Sequence, residues 1–296
     1  MKEAYIETPR FHKASLRLIA LIDDIVEDYQ SQGFRLTIRQ LYYQLVARGH
    51  IENTVRSYDN TVALMTNARM AGLIDWDAIE DRTRGVVERN HWSSGGEILD
   101  AVASQYHEDL WQDQPHRVFV VVEKEALAGV LERTCREWDV PLLPARGYPS
   151  ATTLREFAKG RIMRASQKIV VLHLGDHDPS GIDMSRDLQE RLELFSRHTT
   201  PVDFRRLALN MDQVEEQSPP PNPAKITDSR YASYRALYGE ESWELDALSP
   251  QYLHKLVSTE VEGLIDFARW NERCKVIEGV KTRLRTLADN FDREED

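Results

Sequence analysis

The sequence predicts a mixed α and α/β chain: an N-terminal winged-helix (helix-turn-helix) module, then a domain built on a parallel sheet. Three observations predict it. Residues 14–71 carry apolar side chains at helical spacing in three runs, punctuated by Gly33, Gly49 and Gly72. Two later runs, Val118-Phe119-Val120-Val121-Val122 and Ile169-Val170-Val171-Leu172-His173-Leu174, are apolar almost without a break, the pattern of strands buried on both faces. Around them strand and helix patterns alternate, which implies parallel pairing with right-handed crossovers.

The first helix spans about residues 14–29 on Leu16, Leu18, Ile19, Leu21, Ile22 and Ile25, and Gly33 breaks it. Thr37 suits the N-cap of a second helix through Leu41, Leu45 and Val46, with Gly49 at its C-terminus. A third, about 58–71, carries Val62, Leu64, Met65 and Ala68 and ends at Gly72. Helix, Gly-ended turn and helix at this spacing fit a helix-turn-helix or winged-helix unit. A further helix is expected over 97–111 and a linker over 112–116, dividing the chain into units 1–112 and 117–296. The second unit reads strand 117–122, helix 124–138, short strand at Leu142-Leu143, loop 144–150, helix 151–165, strand 168–174 and helix 180–196. Phe204 to Leu209 is another strand pattern, Gln217 to Pro223 a Pro-rich extended loop, and helices over 250–267 and 270–291 close the chain.

With 296 residues, 41% apolar and 29% charged, the composition is that of an ordinary globular protein. No apolar run is long enough for a membrane span, and Met1 to Arg10 has no signal-peptide core. Cys135 and Cys274 fit no disulfide or zinc spacing, so reduced thiols in a cytoplasmic protein are expected. The net charge of −11 argues against indiscriminate nucleic-acid binding, although binding follows the local distribution of charge. That distribution is uneven. Arg146, Arg155, Lys159, Arg161, Arg164 and Lys168 face only Glu156 in their stretch, and Arg35, Arg39, Arg48, Arg56 and Arg69 face only Glu52 and Asp59. The tail, Asp289 to Asp296, is acidic.

Chemistry concentrates where the two apolar strands end. Glu123 follows the first, and Asp176 with Asp178 follows the second. Ligands of open α/β sheets bind outside the carboxyl ends of the strands. Three carboxylates gathered there repel one another, and a divalent cation with hard oxygen ligands compensates them best. In an extended segment Asp176 and Asp178 point to one side, with Gly175, Pro179 and Gly181 shaping the turn. The bland reading is that Asp178 or Ser180 only caps the next helix. Glu125 suits a first helical turn, Lys124 suits a phosphate contact or an exposed position, His177 is read as a solvent-facing spacer, and Asp183 as a surface acid.

The set Val121-Val122-Glu123-Lys124-Glu125, Gly147-Tyr148-Pro149-Ser150-Ala151-Thr152 and Leu174-Gly175-Asp176-His177-Asp178-Pro179-Ser180-Gly181 resembles the Toprim domain. More narrowly, it is similar to the A subunit of type IIB topoisomerases (topoisomerase VI) and the related meiotic double-strand-break transesterase. Glu244-Leu245-Asp246-Ala247-Leu248 resembles the closing motif of that family, and Arg39-Gln40-Leu41-Tyr42-Tyr43 resembles its nucleophile motif on a winged-helix domain. The motifs lie within residues 35–267. The chain is shorter than typical A subunits, and Ile51 to Arg84 has no close counterpart in the main subfamilies, which fits a compact bacterial, phage or plasmid branch, sometimes called Mini-A.

The resemblance implies a Mg²⁺-dependent DNA transesterase. Tyr43 would attack a backbone phosphorus and form a 5′-phosphotyrosyl link, with one or two Mg²⁺ held by Glu123, Asp176 and Asp178. Arg39, four residues before Tyr43, shares its helix face; a guanidinium there favours the phenolate and can hold a phosphate. The resemblance also implies a homodimer in which each centre pairs one chain's tyrosine with the other's metal. Double-stranded DNA is the expected partner, a nucleoid-associated site the expected location, and Lys124, Arg146, Lys159 and Arg164 the expected phosphate contacts. No Walker-type phosphate loop occurs, so ATP-driven strand passage would need a separate B subunit. Two other functions fit the same residues: a metal-dependent nuclease that uses water, and a non-catalytic DNA-binding protein.

Overall fold

The computed structural model describes residues 2–6, 11–79, 91–197 and 200–294, with the side chains of 292–294 excepted. Residues 80–84 of the unmatched stretch and the last two of the acidic tail lie outside that set. The described residues form a mixed α/β structure with eleven α-helices and a four-stranded parallel sheet.

Helices α1 (Lys13–Ser31), α2 (Ile38–Ala47) and α3 (Val55–Met70) share one apolar core through Ile22, Ile25, Leu41, Leu45, Met65 and Ala68. Thr37 caps α2 as expected: its hydroxyl accepts from Gln40 N at 3.2 Å, while Gln40 Oε1 accepts from Thr37 N at 2.9 Å. Helix α3 begins earlier than its apolar spacing suggests, because Thr54 caps it and its first turn, Val55 and Arg56, is exposed. Among the described residues of this region, strand-like pairing is confined to isolated bridges, such as Leu36 with Ile79.

Helix α4 covers Gly95–Gln105, shorter than the expected 97–111. Leu110 and Trp111 turn instead into the core beneath the sheet, where Trp111 is fully buried. Placed by sequence with the N-terminal unit, α4 packs along the last helix, α11 (Phe267–Glu294).

The sheet comprises β1 (His116–Val122), β2 (Leu142–Pro144), β3 (Lys168–Leu174) and β4 (Val202–Ala208), in the order β2-β1-β3-β4 and parallel throughout. Its crossovers are α5 (Ala128–Glu137), α6 (Ala151–Gly160) and α7 (Pro179–Phe195). Alternation explains the unbroken apolar runs. Val118, Val120 and Val122 pack with α5 and the C-terminal helices, while Phe119 and Val121 pack on the other face with α6 and α7. The register pairs Val122 with Leu174, so the two acid-bearing ends lie side by side.

The segment after β4 is more structured than a loop. Helix α8 (Met211–Gln217) leads into β5 (Asn222–Pro223), which pairs antiparallel with β6 (Glu241–Ser242), and helix α9 (Tyr231–Tyr238) connects the two strands. Helix α10 (Pro250–Glu262) leads to α11. Among the described residues no helix is long and apolar enough to cross a membrane.

Candidate active site

The structure brings the three predicted carboxylates to the carboxyl edge of the sheet, each held differently. Glu123, the residue after β1, accepts the Asp176 backbone N–H on Oε2 at 2.9 Å. Asp176 accepts Leu245 N–H on Oδ1 at 2.8 Å and ion-pairs through Oδ2 with Lys124 Nζ at 3.0 Å. Asp178 is the N-cap of α7 and accepts Gly181 N–H on Oδ1 at 2.6 Å; the capping role anticipated as the bland alternative is real. Two glycines make this packing possible. A methyl group at Gly175 would sit 2.9 Å from Glu123 Oε2, and one at Gly181 would collide with the Asp176 carbonyl oxygen while approaching Glu123 Oε2 to 3.2 Å.

Crowding and burial weaken two of these acids, Glu123 and Asp176. Burial, with the Asp178 charge adding to it, raises Glu123 above the usual carboxylate range. Burial also pushes Asp176 up to about 7 against the pull of Lys124. Such a donor set, all oxygen, suits a hard divalent cation. Among the described residues no three His, Cys, Asp or Glu side chains already converge as ligands; Lys124 holds the Asp176 oxygen that a cation would need.

Three expectations are corrected here. His177 is not a solvent-facing spacer: it is 1% exposed, its Nδ1 lies 2.8 Å from the Tyr234 hydroxyl, and its ring packs on Tyr234, Tyr238 and Trp243. Burial pushes it down to about 4, so it stays neutral. Asp183 is not a plain surface acid, since it accepts from Tyr148, Arg186 and Arg230. Lys124 is neither exposed nor free. Its ammonium lies between Asp176, Glu244 at 2.8 Å and Asp246 at 3.0 Å, and against the cost of burial these carboxylates keep it firmly charged.

The second half of the predicted centre reaches the same place. An antiparallel bridge between His177 and Trp243, with N–H···O distances of 2.8 and 2.9 Å, lays Glu244-Leu245-Asp246 beside the acid turn. Arg39, on α2, ion-pairs with Glu244 and, at 2.8 Å through Nε, with Asp246. Tyr43 lies one turn further along α2, with the Arg39 guanidinium 5.9 Å from its ring centroid. Tyr42 and Tyr43 pack against Ala247, and Tyr42 donates to Asn53 Oδ1 at 2.9 Å. A continuous line of ion pairs, Arg39–Glu244–Lys124–Asp176, therefore joins the tyrosine helix to the acidic edge within one chain.

The electrostatics differ from the expectation that Arg39 favours a phenolate. Burial, with Glu244 and Asp246 adding to it, pushes Tyr43 up to about 12; Arg39 acts in the expected direction but is outweighed. Its charge is shared with Glu244, which Lys124 and Arg39 hold down to about 2 despite burial. Tyr43 is 3% exposed, yet it lines a cavity of about 400 Å³ with Arg39, Tyr42, Asn53, Tyr58, Asn222 and Glu244 among its walls.

The predicted basic contacts separate. Arg146 follows β2 on an exposed loop at the acidic end and ion-pairs with Glu125. Lys159 and Arg164 are exposed at and beyond the C-terminus of α6, which returns the chain to the amino end of the sheet, away from Glu123. Sequence reasoning missed Glu244 and Asp246 as site residues, and also Arg206. The buried Arg206 donates to the carbonyls of Gly175, Asp176, Gly181 and Leu209 and to Ser185 Oγ, bracing the acid turn from β4. Its signal was a charge inside a strand pattern. No protein-family model and no curated protein matches the chain.

Proposed function

We propose that this chain is a DNA-cleaving transesterase, similar to the A subunit of type IIB topoisomerases, with a Toprim-like acidic edge and a winged-helix-like tyrosine module. One observation carries the reading: the Arg39–Glu244–Lys124–Asp176 line brings a tyrosine–arginine pair and a carboxylate cluster into one centre. A phosphoryl transfer by a tyrosine needs both.

In this reading the Tyr43 oxygen forms a bond to the scissile phosphorus as the bond to the 3′ oxygen breaks. The phenol gives up its proton and the leaving oxygen takes one. Arg39 orients the phosphate while keeping the phenol oxygen within hydrogen-bond reach. Glu123, Asp176 and Asp178 would hold Mg²⁺, which supplies positive charge to the phosphate and the leaving oxygen. Lys124 neutralises Asp176 and Glu244 in its absence. Double-stranded DNA is the substrate, a homodimer supplies one centre per strand, and a separate ATPase subunit would be needed for strand passage. Arg146 is the predicted basic residue best sited for a phosphate contact.

The test is incubation of the protein with plasmid and Mg²⁺, followed by detection of covalent protein–DNA adducts. Adducts are expected from the wild type and absent from Tyr43→Phe and Glu123→Ala. A second reading, a metal-dependent nuclease, is favoured by the elevated Tyr43 phenol. It would be chosen by cleavage without adducts that survives Tyr43→Phe but not Glu123→Ala.

A further inference from the structure

The cavity beside Tyr43 is larger and less polar than a phosphate site needs. It has about 400 Å³ of space, within the range of small-molecule sites. Its walls fall into two groups. Arg39 touches both Tyr43 and Glu244, and the three supply the charged part, with Glu244 neutralised by Arg39 and Lys124. Tyr42, Tyr58, Asn53, Asn222, Pro223 and Val55 supply an aromatic and amide-lined part.

That second part is built rather than incidental. Tyr42 stands edge-on to Tyr58, with ring centroids 5.3 Å apart. Asn53 is fixed on both sides, accepting from Tyr42 and donating to Asn222 Oδ1 at 3.0 Å and to the Pro221 carbonyl at 3.1 Å. These contacts tie α3 to the β5 segment across 169 residues of sequence. Two polar groups at the cavity wall remain uncommitted among the described residues: the Tyr58 hydroxyl and the Asn222 Nδ2 amide. Val55, an apolar side chain at the rim, is 79% exposed.

Aromatic faces, an apolar rim, two free hydrogen-bonding groups and an adjacent guanidinium describe the recognition chemistry of one nucleotide: a flat ring with polar edges, joined to a phosphate. We propose that this cavity receives a single nucleotide of the DNA strand, rotated out of the duplex stack, with its base against Tyr58 and Val55 and its phosphate on Arg39. The proposal rests on the DNA-cleavage reading for its substrate but not on the covalent step. It gives the buried Tyr43 a route to the strand, since an extruded nucleotide carries its own phosphate into the cavity that Tyr43 lines.

Extrusion costs unpairing and unstacking energy, which a mismatch largely removes. The experiment compares the binding of full-length protein in Mg²⁺ to a matched duplex and to duplexes of equal length with one mismatch. The wild type is expected to prefer mismatched DNA by about tenfold or more, and a Tyr58→Ala/Asn222→Ala variant with an unchanged melting temperature to lose that preference. Equal affinity of the wild type for both duplexes, or a preference that persists in the variant, overturns the proposal. Adduct formation without mismatch preference would sink the cavity assignment alone. Mismatch preference without adducts would sink the transesterase reading alone.

Discussion

At the scale of single residues, the acidic edge depends on two positions that carry no side chain. Gly181 has no Cβ because the Asp176 carbonyl and Glu123 Oε2 occupy its space. Gly181→Ala forces the acid turn apart; a loss of about 2 kcal/mol or more in denaturant unfolding is expected, together with loss of Mg²⁺-dependent activity. His173 offers a second test. It is fully buried, lies 2.9 Å from Ser185 Oγ, and burial with the Arg206 charge pushes it down to about 3. Because its folded value lies below its unfolded value of about 6.5, the stability it contributes is complete above that pH. It is lost as pH falls towards 3, by up to about 1.4 kcal/mol per pH unit. Asp176, raised to about 7, acts in the opposite sense over the same range. The test is therefore the difference between wild type and His173→Gln in urea midpoints from pH 7 to 4.5. The gap between the two should narrow as the medium acidifies, and a constant gap would show that His173 is not held neutral.

At the scale of elements, the legible parts were those specified by neighbours in sequence. The Thr37 cap with Gln40, the apolar faces of α1 to α3 and the unbroken β1 and β3 all follow from local rules. Thr37→Ala is expected to cost about 1 kcal/mol, measured by chemical unfolding. It should lower adduct yield as well, since the cap fixes the start of the helix that carries Arg39 and Tyr43. The elements that escaped the sequence are short ones stabilised from afar. Helix α9 buries only Tyr234, whose hydroxyl meets His177, 57 residues away. Helix α4 ends early because Trp111 is claimed by a core that includes Trp270. His177 was misjudged for the same reason: a residue between two acids reads as polar surface unless its distant aromatic partners are known.

At the scale of the whole molecule, the candidate centre joins segments near residues 39–43, 123–124, 176–178 and 244–246, more than two hundred positions from first to last. The acids at the strand ends were visible in the sequence, but the ion pairs connecting them to α2 were not, because opposite charges so far apart have no pattern to reveal them. The resemblance implied a centre composed across two chains, whereas Arg39 and Tyr43 here meet Glu244 and Asp246 of their own chain. A centre complete within one polypeptide and one composed across two chains predict different complementation. Co-expressing Tyr43→Phe with Glu123→Ala chains tests this. Composition within a chain leaves both dead and yields no adduct, while adducts on the Glu123→Ala polypeptide would require composition across chains.

The His177–Trp243 bridge also sets an order of assembly. As the chain is synthesised, Tyr43 and all three strand-end acids emerge before the segment at 244–246 that binds them together. Until that segment docks, Arg39 lacks its acid partners and Lys124 lacks two of its three. A nascent or truncated product that lacks residues 244–246 holds every reactive group but not their alignment, so a cutting activity arising from this centre would be withheld until that segment has been made and docked.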